Sequence, residues 1–143
     1  IGGDPLRFRP FVDRYLRVLA EEGHPIQPIA IHSPGHIADT ERVFAYRCLR
    51  VARGDTTPLP GFDQDAYVSG TDLNARSLES LMLEFEMQRR ANLLCFEALD
   101  DFELGRSGTV NDLPVTTRAM LYVMAGHVLH HLESLATDYK LMV

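Results

Sequence analysis

The sequence predicts an all-α protein, an antiparallel four-helix bundle whose first helix is short. Three observations carry that expectation. Apolar residues recur at helical spacing in four segments, proline and glycine cluster between those segments, and no stretch competes with them as a strand. A small all-helical chain buries its apolar stripes by laying helices side by side. With 143 residues, 45% of them hydrophobic, the chain has the size of one ordinary domain and enough apolar material for a core, so residues 1–143 are read as a single domain.

The first helix is expected over Pro10 to Glu22, where Phe11, Tyr15, Val18 and Leu19 keep helical spacing and Gly23 supplies a stop. His24 to Ser33 holds Pro25 and Pro28 and reads as an extended connection. Ser33-Pro34 has the form of an N-cap followed by a first-turn proline, so the second helix should run from Pro34 to Arg53, with Gly54 ending it. Gly54 to about Asn74 carries Pro58, Pro60, Gly61 and Gly70 and is expected to be a long ordered loop, the kind of segment that often serves function. The third helix should span about Ser77 to Leu99, with Leu78, Leu81, Phe85, Phe96 and Leu99 near one face and Gln88 and Asn92 interrupting the stripe. A second connection follows from Asp100 to Pro114. The last helix should cover Thr116 to Tyr139. A short first helix leaves the bundle thin, and a homodimer is the simplest closed way to cover the exposed flank.

Twenty acidic residues stand against fourteen basic ones, for a formal charge of -6, and the basic residues are interspersed with acidic ones. That argues against a nucleic-acid surface. Cys48 and Cys95 fall within helical patterns without C-x-x-C spacing and read as reduced core thiols rather than as nucleophiles or metal ligands. No apolar run approaches the roughly 18 residues of a membrane span, and Ile1-Gly2-Gly3-Asp4 lacks the features of a signal peptide. The expectation is a cytoplasmic protein without a membrane partner.

Function is signalled most strongly by His127, His130 and His131 in the last helix. His127 and His131 lie one turn apart, so both imidazoles can reach one point in space and share a divalent metal. His36, near the start of the second helix, is the best third ligand. Three imidazoles leave coordination positions for water or substrate, the donor count of a catalytic site. His130 is turned about 100° away from His131 by helix geometry, which favours a surface or supporting role. His32 is a reserve ligand, separated from His36 by Pro34, and His24 is expected to be exposed. A solvated or core histidine cluster is the plain alternative. Imidazole donors accept zinc, nickel, copper and iron alike.

Other chemistries lack their signatures. Val128 stands where the zinc-peptidase motif H-E-x-x-H has its glutamate, and no G-x-S-x-G, P-loop or G-x-G-x-x-G occurs.

Three blocks resemble a known family. They are Gly35-His36-Ile37-Ala38-Asp39-Thr40-Glu41-Arg42-Val43-Phe44-Ala45-Tyr46-Arg47, then Arg53-Gly54-Asp55 with Leu59-Pro60-Gly61-Phe62-Asp63-Gln64-Asp65-Ala66-Tyr67-Val68, and then Ala125-Gly126-His127 through His130-His131-Leu132. Together they resemble the DinB-like superfamily of small metal-binding four-helix proteins, over roughly residues 35–139. The resemblance implies that His36, His127 and His131 hold a divalent metal, usually zinc or nickel. It also implies a metal-dependent enzyme acting on a small molecule, a transferase using a low-molecular-weight thiol or a hydrolase. Glu41 and Arg47 fit the family motif and read as part of a buried ion pair or hydrogen-bond network; Asp63 and Tyr67 would either line the mouth of the site or anchor the loop. The chain departs from the family in its short first helix and in having no tryptophan. That departure favours the second reading, a non-catalytic metal-binding or dimerisation module.

Overall fold

The structure is a computed structural model and describes residues 34–138. The helix expected over Pro10 to Glu22, the connection from His24 to Ser33, and the residues after Asp138 lie outside the described residues. Within them the chain is mostly helical, with three long helices, α1 (Pro34–Ala52), α3 (Leu78–Glu97) and α5 (Thr117–Asp138). Two short ones, α2 (Gln64–Ser69) and α4 (Asp101–Gly105), lie in the connections, where a 3-10 turn also occupies Leu73–Ala75.

Each long helix starts or stops where local chemistry dictates. α1 opens on a proline and closes in a Schellman motif. Gly54 takes φ +81°, its N–H donates to Val51 O at 2.9 Å, and Asp55 N–H donates to Arg50 O at 3.0 Å. Ser77 caps α3 by accepting from Ser80 N, and Thr116 caps α5 by accepting from Ala119 N. Asp100 and Glu103 close a reciprocal capping box on α4.

The bundle has α1 at its centre, with α3 and α5 packed along it. Cys48 lies beside Thr117 and His36 beside His131, so α5 runs antiparallel to α1, as expected. α3 does not follow that expectation. Arg42 pairs with Glu84, Glu41 with Arg89 and Asn92, and Cys48 senses Cys95, so residue numbers rise together along α1 and α3 and the two helices are parallel. The long connection makes this possible. α1 is 19 residues, about 28 Å, and the chain from Gly54 to Ser77 travels back along it before α3 begins. Leu73 then seats on Gly35 at the start of α1, where a Cβ would stand 2.5 Å from its Cδ2. A larger residue at this position would require the Leu73 side chain to shift.

The all-α expectation is corrected in the second connection. β1 (Ser107–Val110) and β2 (Leu113–Thr116) form an antiparallel hairpin closed by Asn111 and Asp112, both left-handed at φ 52° and 62°. That is the conformation a two-residue hairpin turn demands, and Asn and Asp tolerate it better than other side chains. Leu59 from the long loop adds a parallel bridge to Val110. The hairpin and this bridge cap one end of the helices. Cys48, Val51, Leu59, Val110, Met120 and Met124 form the apolar cluster there, with Phe44, Phe96 and Val115 packed around it. Burial pushes the Cys48 thiol up to about 12, which keeps it protonated and inert.

Candidate metal centre

The opposite end of the α1–α5 interface buries polar side chains among apolar ones. The antiparallel pairing brings the N-terminal turns of α1 to the C-terminal half of α5, and there the three predicted histidines meet. The His36 ring lies 5.1 Å from that of His131 and 5.3 Å from that of His127, and the last two are 4.4 Å apart. One donor nitrogen from each of the three falls within 4.8 Å of the others. His36 and His131 are buried and His127 is half-buried.

Two of these donors already stand at the spacing that one divalent ion requires. Two nitrogens each roughly 2.0–2.1 Å from one ion stand about 2.9–3.4 Å apart across the range from right-angled to tetrahedral geometry. The observed separation of Nε2 of His127 from Nε2 of His131 is 3.0 Å. A ligand imidazole must also be neutral. Burial first, and then the His36 and His130 rings and the Arg89 guanidinium, push His127 down to about 4, so it carries no proton to displace at neutral pH. The cluster is therefore capable of coordinating a divalent metal.

A family model described as the DinB superfamily matches residues 13–135. The chain belongs to the DinB superfamily. Comparison with curated proteins and with solved structures returns no match. No helix of this DinB-superfamily chain, among the described residues, is long and apolar enough to cross a membrane.

The other residues singled out in the sequence sort clearly. His130 is exposed, with its ring 5.5 Å from that of His131 and outside the three-ring cluster. His24 and His32 lie outside the described residues. Glu41 belongs to a buried network, but its partner is Arg89 rather than Arg47. Arg89 donates to Oε2 at 2.6 Å and Asn92 to Oε1 at 2.8 Å, so both carboxylate oxygens are engaged. Arg47 instead donates to Pro60 O and lies over the Phe62 ring at 5.3 Å, clamping the long loop to α1. Asp63 is the N-cap of α2, accepting from Asp65 N and Ala66 N, and Tyr67 packs on Phe62 with ring centroids 5.4 Å apart. These contacts are those of loop anchors.

Three residues around the histidines and the Glu41 network were not assigned to the site from the sequence. Phe44 sets its ring 5.6 Å from His127. Arg89 and Asn92 come from α3. Asn92 was visible only as an interruption of the apolar stripe, and that interruption marks where α3 meets Glu41.

Proposed function

We propose that the protein is a metal-dependent enzyme acting on a small molecule, either a transferase using a low-molecular-weight thiol or a hydrolase, with His36, His127 and His131 as the metal ligands. The observation that carries this reading is the convergence of three imidazoles from two helices within 4.8 Å. Among the described residues no fourth His, Cys, Asp or Glu joins them, which is the donor count of an open catalytic site and not of a closed structural one. A divalent ion, zinc or nickel by family resemblance, would supply Lewis acidity that lowers the pKa of a thiol or of water.

The chain's own groups do the rest. His127, neutral and beside solvent, offers its nitrogen without prior loss of a proton. Phe44 covers one side of that ring with hydrocarbon. The Glu41 carboxylate, held by Arg89 and Asn92, fixes the α1–α3 junction five residues beyond His36 and so holds the turn from which His36 projects.

The test is metal content followed by activity. Purified protein is expected to carry one divalent ion per chain, and transfer of 2-mercaptoethanol to a panel of small electrophiles should stop on chelation and return on adding the ion back. Thiol transfer or hydrolysis that continues after complete removal of metal overturns the proposal.

A second reading, a non-catalytic metal-binding or homodimerisation module, draws on exposed apolar residues. Leu83, Met87 and Leu94 recur along one face of α3 and are each more than half exposed. A dimer by light scattering, with bound metal and no turnover on either substrate class, would favour it.

A further inference from the structure

Thr40 is the residue at the three-histidine cluster that the metal-ligand reading leaves unused. Residues 36, 40 and 44 recur at four-residue steps on α1 and share one face. The rings of His36 and Phe44 both contact His127, at 5.3 Å and 5.6 Å, so Thr40 between them stands opposite His127. Two pairs at i, i+4 spacing thus confront each other across antiparallel helices, His36 with Thr40 and His127 with His131. Three corners of that arrangement are imidazoles. The fourth is a hydroxyl.

Thr40 is 1% exposed, and its Oγ1 has no hydrogen-bond partner. A threonine inside a helix commonly returns its hydroxyl to the carbonyl one turn back, and this one does not. A buried hydroxyl without a partner destabilises a fold, and valine would fill the same space without that cost. The polar atom therefore points to a ligand. Arg89 comes from α3, is 7% exposed, and has Nε without a partner even though another nitrogen is committed to Glu41. The Glu41 carboxylate balances that guanidinium, so if three neutral imidazoles held a divalent ion, the charge of the ion itself would be left for an anionic ligand to offset.

We propose that the Thr40 hydroxyl is a ligand-positioning group, donating its hydrogen bond to a thiolate sulfur that occupies the open side of the three-histidine site. This rests on the metal-and-thiol reading above. A hydroxyl suits the task because it binds such metals far more weakly than a fourth histidine would, so it orients an incoming donor without taking its place.

The experiment uses the full chain loaded with cobalt(II) and titrated with 2-mercaptoethanol, following the near-ultraviolet sulfur-to-cobalt band. Thr40→Val keeps the volume and removes the donor; Thr40→Ser keeps the donor. Cobalt affinity should be closely similar in all three proteins. Thiol affinity should fall about tenfold in Thr40→Val, the effect of one lost hydrogen bond to a charged acceptor, and be restored in Thr40→Ser. The metal-free valine variant should be at least as stable in urea as the parent, which separates ligand positioning from folding. Equal thiol affinity in Thr40→Val and the parent overturns the inference alone, as does a loss of cobalt affinity in that variant. A parent protein that binds cobalt and gives no sulfur band overturns the thiol reading itself, and this inference with it.

Discussion

The two ends of the α1–α5 interface are built from the same pair of helices and solve opposite problems. At the hairpin end Cys48, Val51, Met120 and Met124 pack against Leu59 and Val110 in a cluster of apolar side chains. At the other end the buried positions include the polar His36, Thr40, Glu41, Arg89 and His131 beside the apolar Ile37, Ala38 and Val128. Burying polar groups contributes nothing by itself and costs stability wherever a partner is missing. The comparison teaches that the hairpin end stabilises the fold, while the histidine end spends some of that stability on bringing three imidazoles together. Changes at one end should therefore alter folding without touching metal binding, and changes at the other should do the reverse, except where a buried charge is stranded.

That exception gives the largest expected effect. Glu41→Ala strands the Arg89 guanidinium inside the α1–α3 junction, and urea unfolding of the metal-free protein should show a loss of about 3–5 kcal/mol. A loss near zero would mean that the network is not buried as described. Next comes Met124→Ala at the hairpin end, expected to cost about 2–5 kcal/mol as a cavity opens in the cluster, with the dissociation constant for zinc unchanged. If zinc affinity fell with stability, the two ends would not be independent.

The pH response of the metal-free protein sharpens the contrast further. His127 is held down to about 4 against an ordinary 6.5, so between those values the unfolded chain binds more protons than the folded one. Its contribution to stability is present above about 6.5 and is lost progressively as pH falls toward 4. His127→Gln should flatten the unfolding midpoint across that window, whereas Met124→Ala should lower it at every pH without changing its slope. The smallest effect belongs to the loop. Removing the α2 cap with Asp63→Ala should cost about 1 kcal/mol and leave zinc affinity and the pH response alone. A strong effect on metal binding there would return Asp63 to the mouth of the site.

The long helices were legible because their apolar spacing, their opening proline or hydroxyl cap and the closing Gly54 are local signals that the structure keeps. The three histidines were legible for the same reason, since two of them need only helical geometry to share a face. Direction was not. The parallel run of α3 along α1 depends on how the Gly54–Ser77 connection travels, and the contacts that accompany it, Leu73 on Gly35, Arg42 with Glu84 and Glu41 with Arg89, join residues far apart in sequence. The hairpin was hidden by Gly108 and Pro114, which read as loop, while its Asn111-Asp112 turn carried the one available signal. Arg89 was not recognisable as a group near the site either, because an arginine on an amphipathic helix is ordinarily solvated. Only the parallel packing turns it inward, onto Glu41.

The central claim is that imidazoles from α1 and α5 share one cation. Zinc titration of the metal-free protein against a chromophoric chelator, in the parent and in His36→Ala, His127→Ala and His131→Ala, tests it directly. One high-affinity ion per chain is expected in the parent, with each substitution weakening binding by more than the roughly 10–100-fold that loss of a supporting contact costs. Undiminished affinity in His36→Ala, with His127→Ala and His131→Ala impaired, would contradict a site shared between the two helices.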